Sequence, residues 1–427
     1  MSEWCQRTLG DLIHVKHGYA FKGEFFADQG EKLVLKPGNF PIGGGITLRP
    51  GKDAYYTGYY PPDFELAAGD LLVVMTDLTQ AAPILGAPAF VPAEPVMLHN
   101  QRLGLVQVKP GVEVDRRFLY YAMLSDTSRS QIRATATGAT VRHTAPERIY
   151  RVKLGIPDLS TQRVIGDVLG SIDDLIENNR RRIEVLEEMA RAIYREWFVN
   201  FRYPGHGDVP LVDSALGPIP EGWTVHPFAE VASFVNGFAF KPSHWGSEGR
   251  PIIKIKELKQ GVTKATPRHP AESIAPKYWV ERGDLLFSWS ADLGVYLWDN
   301  EPGLLNQHLF TVRPEHPSLT IGFLYHSLTH AMPKFRARAQ GTTMRHIKRS
   351  ALTEVEMVLP PGDLMSRFTR DVKPLHEDVA VLRQEAVTLE ALRDLLLPRL
   401  VTGQIDVSTL DLDAVVRTGE VAELAVV

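Results

Sequence analysis

Short apolar runs separated by Gly, Pro and Asp make up most of the chain. Examples are residues 71–75, 103–108, 252–255, 285–289 and 309–312. Runs of this length and punctuation predict strands. Amphipathic segments at 117–133 and near 321–338 predict one helix beside each group of strands. The pattern therefore predicts α+β units that are rich in β-structure.

Two longer stretches have apolar residues at alternating steps of three and four. The first stretch contains Leu169, Ile172, Ile176, Asn179, Ile183 and Leu186, and continues through Ala190, Ile193 and Trp197. The second contains Val372, Leu375, Val379, Leu382, Ala386 and Leu389, until Arg393 interrupts it. These are heptad seams of two long helices, and a buried Asn179 would fix their register. We expect Ser160 or Thr161 to cap the first helix and the second to end near Pro398.

An apolar stripe on one helix commonly packs on its own domain. Here the other helix faces are crowded with charge, as in residues 180–182 and 187–188, so the obvious partner of one seam is the other seam. The connection 201–223 holds four Pro and four Gly and predicts an irregular turn. If the two halves are related by a pseudo-two-fold axis, the helices run antiparallel and separate the units by roughly 50 Å.

One order of motifs runs through the chain twice, which indicates a duplication. The pairs, in chain order, are Gly-aromatic-Ala-Phe-Lys at 18–22 and 237–241, Gly-Asp-Leu-Leu at 69–72 and 283–286, Asn-Gln at 100–101 and 306–307, Phe-Leu-Tyr at 118–120 and 323–325, and Gly-x-Thr-x-Arg-His at 138–143 and 341–346. The offset falls from 219 to 203 residues, as expected of deletions in surface loops.

These observations divide the chain into two recognition units, two helices and two connecting segments. The predicted boundaries are 1–158 for the first unit, 159–200 for the first helix, 201–222 for a Pro/Gly-rich linker, 223–360 for the second unit, 361–400 for the second helix and 401–427 for a C-terminal tail.

Composition narrows the class of protein. The 427 residues are 44% hydrophobic and 23% charged, which is typical of a globular chain with several domains. No apolar run has the roughly 18–20 residues of a membrane span, and the single cysteine, Cys5, excludes an internal disulfide or a Cys-rich zinc site. We therefore expect a cytoplasmic protein without membrane contact.

Charge is distributed unevenly although the whole chain has a net charge of −4. Residues 1–155 and 228–360 have net charges of +2 and +4, whereas 156–227 and 361–427 each have −5. A nucleic acid would be attracted to the two units rather than to the helices. The difference is small, and a mixed solvated surface would produce similar values.

The repeated motifs end in polar residues that suit DNA contact. The candidates are Lys22, Asn100, Gln101, Thr140, Arg142 and His143 in the first unit, and Lys241, Asn306, Gln307, Thr343, Arg345, His346 and Lys348 in the second. Arg can bind guanine or phosphate, and an amide matches adenine. For each residue alone, a structural role is about as common as base contact. Loops 39–65 and 76–98, which differ in length between repeats, are better candidates for sequence-specific contacts.

Signatures of catalysis are missing from the sequence. Residues 60–64 have two prolines but lack the amide or acid that an amino-methyltransferase tetrad requires before them. The three glycines at 43–45 lack the context of a phosphate loop, and the 14 His residues have no metal-ligand spacing. We therefore expect no catalytic residue, cofactor site or metal site in this chain.

Over residues 4–405 the sequence resembles the specificity subunit of type I restriction-modification systems. The resemblance rests on the repeated motifs, the heptad helices, and the segments 188–198 and 395–405 that end each helix. It implies a non-catalytic subunit with two target-recognition domains, each binding half of a split site in double-stranded DNA. It also implies that the helices set the length of the spacer, the DNA between the two half-sites whose sequence is not recognised. Two methyltransferase subunits, which carry S-adenosylmethionine, would dock on it, and restriction-translocase subunits can join them.

Two other classes of function stay open at this point. A self-sufficient DNA methyltransferase or nuclease would need a cofactor site that the sequence does not display. A coiled-coil adaptor with two protein-binding domains would not bind DNA with salt-dependent affinity.

Overall fold

A computed structural model of the chain describes residues 4–207, 209–341 and 345–407. The described chain forms two compact units, and each contains one part of both long helices. Among the described residues, the first unit comprises 4–177 and 387–407, and the second comprises those between 178 and 386. The compact units therefore divide each long helix between them, whereas the sequence-based boundaries treat each helix as a separate segment.

The first unit consists of short strands followed by helices. Its strands are β1 (Cys5–Thr8), β2 (Ile13–His17), β3 (Phe26–Ala27), β4 (Lys32–Val34), β5 (Tyr55–Tyr56), β6 (Leu71–Val74), β7 (Thr76–Asp77), β8 (Pro88–Phe90), β9 (Val96–Leu98), β10 (Leu103–Val108), β11 (Arg142–His143) and β12 (Lys153–Ile156). Its helices are α1 (Leu9–Leu12), α2 (Arg116–Leu124), α3 (Asp126–Ala134), α4 (Pro146–Ile149) and the first part of α5 (Leu159–Phe198).

The second unit has a closely similar series of elements. Its strands are β13 (Leu211–Val212), β14 (Ile219–Pro220), β15 (Thr224–Pro227), β16 (Ala232–Asn236), β17 (Arg250–Ile253), β18 (Arg268–His269), β19 (Trp279–Val280), β20 (Leu285–Ser288), β21 (Gly294–Leu297), β22 (Gly303–Leu305), β23 (Leu309–Pro314) and β24 (Glu356–Leu359). Its helices are α6 (Phe228–Val231), α7 (Ile255–Gln260), α8 (Ile321–Ala337), α9 (Ala351–Glu354) and the first part of α10 (Gly362–Leu400).

The larger sheet has the same topology in both units. A four-stranded sheet has the order β2-β10-β6-β8 in the first unit and β16-β23-β20-β21 in the second. The strand that opens each unit pairs with the strand that precedes its long helix, as β1–β12 and β15–β24. A smaller sheet contains one parallel pair in each unit, β4–β9 and β17–β22. The predicted α+β class and the predicted duplication are both confirmed.

Each core lies between the larger sheet and the helices. All residues of β6 and β20 are buried, because each strand is central in its sheet. Phe118 on α2 and Phe323 on α8 are fully buried at equivalent places in the two cores. An N-cap side chain starts each of these helices, since Asp115 accepts a hydrogen bond from the Phe118 N–H and Thr320 accepts one from the Phe323 N–H.

The helix predicted at 117–133 is two helices, which is a correction. Ser125 separates α2 from α3, and its hydroxyl accepts a hydrogen bond from the Ser128 N–H at the start of α3. The counterpart α8 is continuous and contains Pro333. Ser125 thus ends α2 and caps α3, whereas Pro333 does not interrupt α8.

The cap of the first long helix differs from expectation, whereas the second long helix ends near Pro398 as predicted. Asp158, rather than Ser160 or Thr161, caps α5, because its carboxylate accepts a hydrogen bond from the Thr161 N–H at 3.0 Å. Hydrogen bonds to that carboxylate lower the pKa of Asp158 to about 2. Helix α10 continues past Pro398 to Leu400 and also contains Pro374. In the C-terminal segment, Val407 is buried in the core of the first unit, and residues 408–427 lie outside the described chain.

The heptad stripe residues are buried or half-buried in both helices. In the second unit the helices run antiparallel, because Asn179 pairs with Glu385 and Trp197, further along α5, packs on Phe368. Asn179 is 5% exposed and donates its amide hydrogen to Glu385 at 3.2 Å. In the first unit Arg393, which interrupts the stripe, forms an ion pair with Asp173 across the two helices at 2.9 Å.

Candidate nucleic-acid interface

Two of the repeated motifs meet in each unit. The Tyr19 N–H donates to the His99 carbonyl at 2.8 Å, and the Phe238 N–H donates to the Leu305 carbonyl at the same distance. A Cβ on Gly18 would lie 2.1 Å from the carbonyl oxygen of Asn100, and a Cβ on Gly237 would lie 2.2 Å from that of Asn306. Glycine is required there because two backbone segments cross in contact.

The asparagines of the Asn-Gln motifs are turn residues. Asn100 and Asn306 are 9% and 6% exposed. The Oδ1 of Asn100 accepts from the Arg102 N–H at 3.0 Å, and that of Asn306 accepts from the His308 N–H at 3.4 Å. Each Oδ1 thus holds its turn, and an amide oxygen can accept a second hydrogen bond. Asn100 and Asn306 therefore have a structural role in these turns, and their contact with adenine stays a prediction.

The glutamines of the same motifs lie nearer the surface. Gln101 is exposed and Gln307 is half-buried. The Nε2 atom of Gln307 lies 3.3 Å from the Nε2 of His308. Each predicted amide pair thus divides into a buried turn residue and a glutamine that can reach a ligand.

The Gly-x-Thr-x-Arg-His motif of the first unit is a tight loop that ends in β11. Gly138 has a φ of +97°, and a Cβ there would lie 1.9 Å from the carbonyl oxygen of Val141. Thr140 is exposed at the loop. Arg142 folds back, because its guanidinium donates to the carbonyls of Gly138 and Arg133 at 3.3 Å.

The last residue of this motif, His143, is exposed and shares a hydrogen bond with the Thr76 hydroxyl at 3.0 Å. Strand β11 pairs with β7, so the loop is anchored beside the larger sheet. The Arg142 side chain is therefore held by nearby backbone carbonyls, and Thr140 and His143 are the more accessible candidates of this loop.

The equivalent loop of the second unit presents its cations differently. Gly341 has a φ of +98°, close to that of Gly138, and Thr343 lies outside the described residues. The side chains of Arg345 and Lys348 are exposed, and that of His346 is half-buried. The backbone of Arg345 is fixed, because its carbonyl accepts from the Ala291 N–H at 2.7 Å.

Each Gly-aromatic-Ala-Phe-Lys motif ends in an exposed lysine, Lys22 or Lys241. Four residues later an aromatic ring, Phe26 or Trp245, lies beneath a second lysine that sequence reasoning missed. The Nζ of Lys36 lies 4.4 Å from the ring centre of Phe26, and that of Lys254 lies 4.9 Å from the ring centre of Trp245. Lys36 and Lys254 are 218 residues apart, close to the offset of 219 between the two motifs, and this spacing is the signal that could have identified them in the sequence.

The loops that differ between the repeats expose large side chains. Ile42, Tyr59 and Leu78 are 60%, 83% and 53% exposed. Tyr59 lies between two fixed neighbours, since Thr57 donates to the Phe25 carbonyl and Tyr60 donates to Glu65. A rigid loop with an exposed ring suits a contact with another surface.

Within the part of the chain that the structure describes, no group of three or more His, Cys, Asp or Glu side chains could hold a metal ion. Among the same residues, no helix combines the length and apolar character needed to cross a membrane. Among the described candidates, those that reach the surface have amide, hydroxyl, imidazole or cationic side chains. This arrangement suits binding by hydrogen bonds and charge.

Comparisons with known proteins agree with this arrangement. The family model for the type I restriction modification DNA specificity domain matches residues 1–188 and 220–363. The type I restriction enzyme MjaIX specificity subunit of Methanocaldococcus jannaschii is 24% identical over 344 residues, which cover 78% of each chain. The type I restriction enzyme EcoBI specificity subunit of Escherichia coli is 28% identical over 198 residues, which cover 45% of this chain and 41% of the relative.

Among solved structures, the S subunit of the type I restriction-modification system of M. genitalium has a similar fold. The TM-score is 0.58 at 16% sequence identity, and the alignment covers 94% of this chain and 96% of that chain.

Proposed function

The chain belongs to the family of type I restriction-modification DNA specificity subunits, and we propose that each of its two recognition domains reads one half of a bipartite DNA site. The observation that carries this proposal is the repeated fold. The larger sheet has the same strand order in both units, and equivalent loops in each bear polar side chains. Two copies of one domain whose variable loops differ are suited to two different half-sites.

The contact residues of this proposal are the candidates that reach the surface. They are Lys22, Gln101, Thr140 and His143 in the first domain, and Lys241, Gln307, Arg345, His346 and Lys348 in the second. Cations supply affinity for phosphates, and amides or hydroxyls reach base edges. Exposed side chains in segments 39–65 and 76–98, such as Ile42, Tyr59 and Leu78, add contacts specific to the first domain, as different half-sites require.

The two long helices set the unread spacer in this proposal. Their seam is apolar and antiparallel in the second unit, and the Asp173–Arg393 ion pair fixes one relation between them in the first. Adding one helical turn to both α5 and α10 should lengthen the spacer and leave both half-sites unchanged. Methylation mapping of DNA from cells that carry the lengthened chain tests this, and an unchanged spacer would contradict it.

Catalysis belongs to partner subunits in this proposal. Two methyltransferase subunits with bound S-adenosylmethionine would dock on the helices and domains, and restriction-translocase subunits can join them. Segments 156–227 and 361–427, each with a net charge of −5, are suited to contact with protein rather than DNA, because they repel phosphate.

The test compares the purified chain with its complex in a labelled-methyl transfer assay on duplex DNA. We expect no transfer by the chain alone and transfer by the complex at a split site. Transfer by the chain alone would establish a self-sufficient methyltransferase. A fluorescence anisotropy titration of the complex on random duplex at two salt concentrations tests the other alternative, because absence of salt-dependent binding would favour a protein adaptor.

A further inference from the structure

A lysine held over an aromatic ring occupies the same place in both domains. Lys36 follows β4 and lies over Phe26, and Lys254 follows β17 and lies over Trp245. Strands β4 and β17 are equivalent, since each forms the parallel pair of its smaller sheet. The arrangement has therefore been retained in both copies although most neighbouring residues have changed.

The backbone around each lysine is fixed in the same way. The Lys36 N–H donates to Oδ1 of Asn39 at 3.0 Å, and the Lys254 N–H donates to Oε2 of Glu257 at 3.1 Å. Each side chain is half-buried and lies against its ring. A lysine held in this way loses less side-chain freedom on binding than an extended one, which favours binding.

Neither ammonium group is neutralised. Among the described residues, no carboxylate forms an ion pair with Lys36 or Lys254, whereas Lys32 pairs with Glu65 at 2.9 Å. Burial, followed by the charge of the exposed Arg102, lowers the pKa of Lys36. Lys36 and Arg102 are thus neighbouring cations, and Lys36 has no carboxylate partner among the described residues, which favours a bound anion there.

We infer that Lys36 and Lys254 are equivalent phosphate-binding residues that contact the DNA backbone, one in each recognition domain. The inference rests on the proposed function. Two domains that read different bases share only the sugar-phosphate backbone as a ligand, so a contact kept in both is expected to be with that backbone. A compact ammonium group with three donors suits a phosphate oxygen as a point charge.

The test measures the salt dependence of DNA binding by the complex of the full-length chain with its methyltransferase subunits. Each of Lys36→Gln and Lys254→Gln should reduce the slope of log K against log salt by about 0.9, the value for one phosphate contact. The loss of affinity between 50 and 200 mM salt should then be about 3-fold smaller for each variant. Target and random duplexes should be affected equally, and Lys36→Arg should keep the slope.

The chain offers matched controls. Lys32 also lies over a ring, 5.0 Å from the centre of Tyr60, but Glu65 neutralises it. Lys259 forms an ion pair with Asp292 in the second domain. Lys32→Gln and Lys259→Gln should leave the slope unchanged, and thermal unfolding of every variant checks that it folds.

The outcomes separate this inference from the proposed function. Salt-dependent binding by the parent complex with an unchanged slope in folded Lys36→Gln and Lys254→Gln would overturn the inference alone. A reduced slope in the two control variants as well would also overturn it, because the effect would then reflect general charge. Absence of salt-dependent binding by the parent complex would overturn the proposed function and this inference together.

Discussion

The buried contact between His326 and His376 makes the stability of the second unit depend on pH. His326 on α8 is 3% exposed, and its Nε2 lies 3.0 Å from the Nε2 of His376 on α10. Two neutral imidazoles can share one hydrogen bond in this geometry, whereas two protonated ones would place like charges face to face. Tyr194 stacks on His326, and Arg191 and Arg383 add further positive charge.

The size of the loss of stability at low pH follows from the pKa of His326. Burial, together with the charges of His376 and Arg191, lowers this pKa to about 3 from the usual value near 6.5. The unfolded chain binds a proton more readily than the folded chain below pH 6.5, so stability is retained above that pH and lost as pH falls. Linkage gives a loss of about 2 kcal/mol between pH 7.5 and pH 5. His376, whose pKa burial also lowers, contributes in the same direction.

Urea unfolding followed by tryptophan fluorescence measures this loss. Of the seven Trp residues only Trp4 lies in the first unit, so the signal reports the second. His326→Gln removes the main titrating group. The difference in the free energy of unfolding between pH 7.5 and pH 5 should then fall below about 1 kcal/mol. An equal difference in the parent and the variant, or a more stable second unit at pH 5, would refute the reasoning.

The first unit offers two further predictions, both measured by amide hydrogen exchange. Gly18→Ala should destabilise it by more than about 3 kcal/mol, because the new Cβ would lie 2.1 Å from a backbone oxygen of the Asn-Gln turn. Gly23→Ala, with no atom within 4 Å, is the control, and equal losses would contradict the packing argument. Arg393→Met should cost about 2–4 kcal/mol because it leaves Asp173 unpaired in a partly buried site. Asp394→Asn, at a side chain 69% exposed, should cost less than about 0.5 kcal/mol, and similar losses in both variants would count against the buried pair.

The duplicated fold could be predicted because contacts within each unit restrict the repeated motifs. Gly18 and Gly237 must be glycine where the chain crosses the Asn-Gln turn, and Gly138 must adopt a positive φ, so these positions persist in both copies. The ends of elements were less predictable. Ser125 and Asp158 act through single side-chain hydrogen bonds that periodicity does not reveal.

The candidate interface could be predicted only in part. The sequence indicates that Asn100 and Arg142 are polar, but not that the first is buried in a turn or that the second donates to nearby backbone carbonyls. The offset of 218 between Lys36 and Lys254 is a weak signal because the residues around them have diverged, and the topology is what aligns their strands. Polarity is a local property, whereas accessibility depends on the packing of distant segments.

The most direct test of the account is the replacement of residues 228–360 by the corresponding domain of another specificity subunit. Methylation mapping of DNA from cells that carry the parent or the hybrid chain, each with the same methyltransferase subunits, would identify both sites. The account predicts that one half of the bipartite site changes while the other half and the spacer are retained. A change in both halves would contradict two independent recognition domains.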